Sequence, residues 1–307
     1  MSKQYKTSIG GQAVIEGIMM RGPEKTSLAV KIPDGSIDVE VWDNQKVTAW
    51  YKKTPFVRGI FNFVDTMRLG YKCLMKSAEK SGYEEGEPDK LDLWFNRHFG
   101  EKATEVLMGG ASVIAVVVAL LMFMALPTFA VRGLNTLFPL GVFSSLVEGI
   151  IKIAILVGYM AAVSRMKDIH RMFQYHGAEH KTIFCYESGE ELTVENVRKQ
   201  KRFHPRCGTS FLLIVVIVSV LVTSFITWNS PWLRVALKIL LLPVVVGISY
   251  EIIKLAGRYT NLCTRIISAP GLWLQHLTTQ EPDDKMIEVA IASLKPVLPS
   301  VEGSDRW

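Results

Sequence analysis

The sequence predicts a mainly α-helical membrane protein with four transmembrane helices, a small cytoplasmic β-hairpin element at the N-terminus and further cytoplasmic helical segments. Three observations predict this fold class: four long apolar runs, an uneven distribution of basic residues, and two β-branched runs on either side of a turn signal. Of the 307 residues, 49% are hydrophobic, and the mean hydropathy is +0.22. The chain therefore has enough apolar side chains to fill several membrane helices.

Four apolar runs are candidates for transmembrane helices: residues 106–126, 141–163, 211–227 and 232–250. About 20 apolar residues in a helix span the hydrocarbon core of a bilayer. The first and third runs carry no charge, and each of the others carries two charged residues: Glu148 and Lys152, and Arg234 and Lys238. Because Glu148 and Lys152 stand four residues apart, we expect them to pair on one helix face.

The basic residues predict the orientation. Sixteen Lys and Arg residues precede the first run, nine lie in 164–210 and six follow residue 250, whereas the connections 127–140 and 228–231 hold one and none. Basic residues concentrate on the cytoplasmic side. We therefore expect a multi-pass protein of the bacterial cytoplasmic (inner) membrane, with both termini in the cytoplasm. The lipid bilayer then accounts for the net charge of +6, and no nucleic-acid partner is needed.

The N-terminal residues predict a small β-rich element. Thr26–Ile32 and Ile37–Trp42 are short β-branched runs, and Pro33–Ser36 between them is a strong turn signal. The preceding stretch, Ile9–Pro23, contains four glycines. We interpret this stretch as a glycine-broken strand and turn, with a loop of a functional site as the alternative.

Further helices are expected outside the membrane. Residues 55–80 repeat apolar side chains every three or four positions, as in an amphipathic helix, and a short helix over 91–105 leads into the first apolar run. The helix of the second run is expected to continue past residue 164 to Gly189. In the C-terminal tail, Pro270 with Gly271 is expected to break a helix before a last amphipathic one begins.

These predictions divide the chain into six parts. They are a β-rich element (1–50), amphipathic and cytoplasmic helices with an acidic linker (51–105), a first transmembrane hairpin (106–163), a cytoplasmic loop with His and Cys motifs (164–210), a second transmembrane hairpin (211–250) and C-terminal cytoplasmic helices (251–307).

The loop with His and Cys motifs contains the sequence His176-Gly-Ala-Glu179-His180. Residues four apart share one face of a helix, so His176 and His180 can present two imidazoles to one metal ion. Glu179 is then placed to take a proton from a water molecule that the ion activates. The order His-x-x-Glu-His is the inverted form of a zinc-protease motif. The spacing predicts His176 and His180 as metal ligands and Glu179 as the catalytic base.

His204 and Cys207 are the candidates for the third and fourth ligands. Their His-x-x-Cys spacing is one that a turn presents to zinc. Four protein ligands would make a zinc ion structural, and three with a water would make it catalytic; both remain open. Imidazole and thiolate ligands favour zinc without excluding iron.

Two further residues lie within reach of such a site. Cys185 is about one helical turn beyond His180, although a buried thiol is its simpler interpretation. Glu251 lies well downstream, where peptidases with the inverted motif have a further glutamate ligand. Alternatively, the histidines bind no metal and form hydrogen bonds near a helix end.

Three motifs resemble those of one protein family: GGQAVIEGIMMRGP (10–23), YHGAEHKTIFCYESGEELTVENV (175–197) and HPRCGTSFLL (204–213). They are similar to the YqhQ family of bacterial membrane proteins, a domain of unknown function, and the likeness extends over nearly the whole chain. Members of that family are described as predicted metal-dependent enzymes. The resemblance implies a membrane location and a metal-dependent activity, but no reaction.

The first hypothesis from the sequence is that the protein is a zinc-dependent enzyme, a hydrolase, with its site at the cytoplasmic face of the membrane. The second is a non-enzymatic scaffold or accessory factor that binds another membrane protein complex, such as insertion or quality-control machinery, with a structural metal or none. A transporter is the third hypothesis and depends only on Glu148 and Lys152.

Overall fold

The computed structural model describes residues 6–44, 49–82, 98, 103–225, 230–259, 261–301 and 303–306. The chain is mainly helical, at 68%. It forms two compact units: one comprises Met1–Gly82, Val157–Val218 and Pro243–Trp307, and the other comprises Tyr83–Leu156 and Ser219–Leu242. The predicted short helix over 91–105 falls mostly outside the described residues.

The N-terminal sheet has four antiparallel strands in sequential order: β1 (Gly10–Val14), β2 (Gly17–Arg21), β3 (Lys25–Lys31) and β4 (Ile37–Asp43). The hairpin β3–β4 confirms the predicted β element. The glycine-containing stretch before it adds a second hairpin, β1–β2, which confirms a strand and turn there. Glu16 in the turn of this hairpin has a φ of 49°, and a double hydrogen bond from Arg171 to its carboxylate holds it in place.

Among the described residues, the α-helices have the following bounds: α1 (Val57–Lys80), α2 (Ala103–Leu120), α3 (Leu126–Leu137), α4 (Ser144–Val163), α5 (Lys167–Glu187), α6 (Val194–Lys199), α7 (Gly208–Thr223), α8 (Pro231–Arg258), α9 (Leu262–Thr278) and α10 (Asp284–Leu294). A π-helical segment, Leu121–Ala125, joins α2 to α3. Pro127 has no N–H for a helical hydrogen bond, and the helix widens immediately before it.

The two central strands of the sheet, β2 and β3, are buried on both faces. Successive side chains of a strand point to opposite faces, so Ile18 and Met20 pack on α5 and α10, whereas Met19 packs towards α1. In β3, Ala29 joins the first cluster, and Leu28 joins the second. The sheet is therefore the middle layer between α1 on one side and α5 with α10 on the other, and this arrangement fixes the position of α5.

Within the described residues, three helices are long and apolar enough to cross a membrane: Gly109–Leu137, Ser144–Val163 and Pro231–Arg258. They correspond to the first, second and fourth predicted spans. The third predicted span, 211–227, corresponds to α7, an apolar helix of 16 residues, and residues 226–229 lie outside the described part. The expected pairing of Lys152 with Glu148 is present, at 3.0 Å.

Two helix boundaries differ from the predictions. The helix of the second run does not continue past residue 164, because Met166 is extended, with ψ at 133°, and α5 begins anew at Lys167. Pro270 does not break its helix, because α9 continues through it. Thr193 caps α6: its side chain accepts a hydrogen bond of 3.3 Å from Asn196 N.

Candidate metal centre

Helix α5 carries His176, Glu179 and His180 on its buried part. Gly177 lies between them, and a Cβ atom there would stand 2.0 Å from the Gln280 carbonyl oxygen. The segment after α9 therefore passes close to α5 only because this residue is glycine. Gln280 N donates a hydrogen bond of 2.8 Å to Phe173 O and fastens the two segments together.

His176, His180 and Cys207 form one cluster. One ligand atom from each lies within 4.8 Å of the other two. His176 Nε2 lies 3.0 Å from Cys207 Sγ, and the two imidazole centroids are 4.4 Å apart. The two histidines lie one helical turn apart, and the turn before α7 carries Cys207 to them. Histidine and cysteine are both common zinc ligands.

Backbone carbonyls fix both imidazoles. His176 Nδ1 lies 2.7 Å from Thr278 O, and His180 Nδ1 lies 2.5 Å from Arg202 O. A carbonyl only accepts, so each Nδ1 carries a proton and donates it. In the neutral tautomer, Nε2 of each ring is then the free nitrogen. Metal-ligating histidines commonly have this arrangement, which fixes both tautomer and ring orientation.

The charges of Cys207 and His176 support each other. Burial disfavours the imidazolium, but the negative charge of Cys207 outweighs this effect and raises the pKa of His176 to about 9. Burial also opposes the thiolate, yet the two imidazoles lower the pKa of Cys207 well below its usual value. The cluster therefore stabilises a thiolate, which is the form of cysteine that binds metals.

Glu179 is buried next to this cluster. Its Oε1 accepts a hydrogen bond of 3.1 Å from the backbone N–H of Gly11 in β1. Burial raises the pKa of the Glu179 carboxyl, although His180 and His176 act in the opposite direction. A carboxyl whose pKa is raised in this way is suited to exchanging protons near neutral pH.

His204 lies beside the cluster but outside it. Its ring centroid is 5.5 Å from that of His180. Its Nδ1 accepts from Arg206 N at 3.3 Å, and its Nε2 lies 3.8 Å from a carboxylate oxygen of Glu187. Burial lowers the pKa of His204 to about 4, so the ring is neutral. The structure therefore brings together three of the four predicted ligands, and His204 joins the neighbouring pair Arg206–Glu187 instead.

Cys185 and Glu251 do not reach the cluster. Cys185 is fully buried next to the Glu191 carbonyl oxygen, at 3.5 Å, and burial raises the pKa of its thiol to about 11. Glu251 pairs with Arg58 instead: its carboxylate accepts two hydrogen bonds from the guanidinium, at 2.7 and 2.5 Å. A basic residue on α1 thus holds this glutamate away from the site.

Several supporting residues were not found from the sequence. Gln275 on α9 is fully buried, accepts from His204 N at 2.7 Å and donates to His204 O at 2.7 Å. It fixes the turn that carries Cys207. The Gly-Gly pair marks Gly11 as an unusual position in the sequence. By contrast, a single Gln within an apolar helix does not indicate a role at the site.

Comparison with known proteins agrees with the motifs. A family model described as "Protein of unknown function (DUF1385)" matches residues 54–300. The "Uncharacterized protein YqhQ" of Bacillus subtilis (strain 168) is 37% identical over 303 residues, which cover 97% of this chain and 95% of that protein. No solved structure matches the chain. The chain belongs to this YqhQ-like family of proteins of unknown function.

Proposed function

We propose that this protein is a membrane-bound, zinc-dependent hydrolase in which His176, His180 and Cys207 hold the ion and Glu179 is the acid–base residue. The observation that carries the proposal is the pair of backbone carbonyls that fix both imidazoles through Nδ1. Three protein ligands leave one coordination position open, which is typical of catalytic zinc sites.

The ligands and Glu179 have separate roles. A bound zinc ion would supply Lewis-acid activation of water. His176 and Cys207 hold a charge pair at 3.0 Å, and because a ligating imidazole is unprotonated, loading the site releases the His176 proton. Glu179, anchored by Gly11 N–H, receives and returns a proton during hydrolysis. The raised pKa of its carboxyl supports this role.

We further propose that the centre lies at the cytoplasmic face of the bacterial inner membrane. With α7 as a fourth crossing, both termini and residues 164–210 fall on one side. The basic residues of those segments support a cytoplasmic side. A site at the cytoplasmic face of the membrane suits peptide or lipid-linked substrates of the inner leaflet.

A structural metal in a non-enzymatic scaffold is the competing function. One observation favours it: Cys207 and His180 are 7% and 2% exposed, so little of the cluster is accessible to a substrate. The centre also joins α5, the turn before α7 and the end of α9, so that a metal there would stabilise the fold. Such a scaffold would serve another membrane protein complex.

Metal content per chain of the detergent-purified protein tests the ligand set. About one zinc per chain is expected in the wild type, with loss in His176→Ala and Cys207→Ser. Glu179→Gln should keep the metal. His204→Gln is the matched control, because His204 is a neighbouring buried histidine outside the cluster, and it should also keep the metal. The absence of metal from wild-type protein purified without chelators would refute the proposal.

The cobalt-substituted protein separates the two roles. An open coordination position should bind a small hydroxamate and change the visible absorption spectrum, whereas a closed structural site should not respond. If the site is catalytic, Glu179→Gln should abolish function in cells while the metal and fold persist. A spectrum that does not change, together with full function of Glu179→Gln, would support the scaffold.

A further inference from the structure

The second compact unit contains a cluster of charged residues within its apolar helices. Lys238 Nζ on α8 donates hydrogen bonds to Glu148 and, at 2.7 Å, to Thr128 Oγ1 on α3, while Lys152 lies 3.0 Å from the same carboxylate. The three charged side chains are 2–5% exposed. The sequence predicted the pair of Glu148 and Lys152, but the third member comes from a distant helix. The cluster holds two cations and one anion, so it carries excess positive charge.

A cavity of about 330 Å³ adjoins this cluster. Thr128 belongs to both, because it accepts from Lys238 and also lines the cavity. The other polar lining residues are Arg132, Asn135, Thr136, Ser144 and Arg234. We call this space the cationic cavity. Its lining combines two guanidinium groups with the amide of Asn135, and no carboxylate lines it among the described residues. The hydroxyls of Thr136 and Ser144 already donate to the carbonyl oxygens of Gly133 and Gly141.

One lining residue, Arg234, lacks a hydrogen-bond acceptor. Its Nε is buried and has no hydrogen-bond partner among the described residues. A buried guanidinium N–H without an acceptor is costly, more so beside a cluster that already has an excess cation. In apolar surroundings, charges are paired or face a water-filled space. An anion in the cavity would supply both the missing acceptor and the missing charge.

The depth of the cavity indicates where the anion comes from. Arg234 lies three residues inside the start of α8 and Arg132 lies five residues before the end of α3, about 5–8 Å along each helix. Ser144 is the first residue of α4. The cavity therefore lies near the ends of three apolar helices, and in a membrane that these helices cross this is the level where lipid phosphates meet the acyl chains. Its volume is at the small end for ligand pockets and suits a headgroup.

We propose that the cationic cavity binds a phosphate group, with Arg234 as the principal ligand and Arg132 and Asn135 as further donors. Arginine forms two parallel hydrogen bonds with phosphate. The phosphate belongs either to an anionic lipid headgroup or to a free phosphate ion. This site is separate from the metal centre, and neither proposal depends on the other.

The test uses the full chain in detergent, with its thermal unfolding temperature measured against added ligand. Three probes are compared at equal ionic strength: short-chain phosphatidylglycerol, inorganic phosphate and chloride. Saturable stabilisation by either phosphate probe but not by chloride is the expected result. Stabilisation by the lipid alone identifies a headgroup site, whereas stabilisation by inorganic phosphate alone identifies a free-ion site.

Variants connect the effect to the cavity. Arg234→Gln should weaken binding roughly tenfold to a hundredfold, and Arg234→Lys should restore part of it. Arg265→Gln, at an exposed arginine of the other unit, is the control and should bind as the wild type does. If Arg234→Gln does not fold, Arg132→Gln offers a milder loss at the same lining. Equal stabilisation by chloride, or undiminished binding by the folded Arg234 and Arg132 variants, would overturn the proposal.

Discussion

The backbone N–H of Gly11 donates a hydrogen bond of 3.1 Å to the Glu179 carboxylate. This contact joins β1 to α5, the helix that carries both cluster histidines. It places the Gly-Gly pair directly against the His-x-x-Glu-His motif. A Cβ atom at Gly11 would stand 2.7 Å from Met19 O and 3.0 Å from Glu179 Cδ, so the strand and the carboxylate meet only through glycine.

Gly11→Ala should therefore displace Glu179 without removing a metal ligand. We expect a loss of about 1–3 kcal/mol in the free energy of unfolding. Metal content should stay at the wild-type level, while any activity falls. Unfolding in detergent and metal analysis of the same sample would measure both quantities. Gly10→Ala is the matched control, because nothing lies within 4 Å of a Cβ at Gly10; an equal loss in that variant would contradict the explanation.

Gly177→Ala should destabilise the protein although alanine is the better helix former. The substitution gains about 1 kcal/mol of helix propensity. The new Cβ would lie 2.0 Å from the Gln280 carbonyl oxygen, and we expect the overlap to exceed that gain and to give a net loss of about 1–3 kcal/mol. Thermal unfolding checks this prediction. The control is Gly158→Ala, a helical position with open space around the Cβ. If the Gly177 variant is as stable as this control, the segment that contains Gln280 can move away from α5 at little cost.

Local pattern was enough to predict much of the fold. The apolar runs, the β3–β4 hairpin, α1, the Thr193 cap and the last amphipathic helix all have short-range signals in the sequence. The two misplaced boundaries failed for opposite reasons: one had a breaking signal that the fold overrides, and the other had no such signal. Pro270 is tolerated within α9, and the extended Met166 follows no Gly or Pro. Nothing in the local sequence indicated that α1 and α10 would cover opposite faces of the sheet.

The candidate site was predictable only where its residues are close in sequence. His176, Glu179 and His180 lie on one helical face, and helix geometry alone brings them together. Cys207 and His204 have the same apparent signal in sequence, but long-range contacts separate their roles: Glu187 and Arg206 engage His204, and the thiolate alone faces His176. The two carbonyls that fix the imidazoles come from residues that no motif marks.

His204 should make the metal-free protein less stable in mild acid. Burial lowers its pKa from 6.5 to about 4, so between these pH values the unfolded chain binds a proton that the folded chain does not. The free energy of unfolding therefore falls as the pH drops from 6.5 to 4. The total loss from this group is about 3 kcal/mol. Unfolding curves across this pH range on chelator-treated protein would measure the slope.

The variant His204→Asn isolates this contribution. It removes the titrating ring and leaves an acceptor for Arg206 N. Its stability should change less with pH than that of the wild type between pH 6.5 and 4. Identical slopes for the two proteins would mean that His204 is protonated in the folded state, as a charged partner of Glu187.

Gln275 should stabilise the turn that presents Cys207, although it contacts no ligand of the proposed metal. In Gln275→Leu, His204 N and His204 O both lose a buried hydrogen-bond partner. We expect a loss of about 1–3 kcal/mol in stability and a metal affinity lower by roughly tenfold to a hundredfold, as for other outer contacts of metal sites. Competition with a chelator would measure the affinity. His276→Gln, at the exposed neighbouring position, is the control and should affect neither quantity. If Gln275→Leu loses stability but keeps its metal affinity, the turn carries Cys207 to the histidines without help from α9, and the metal itself orders the site.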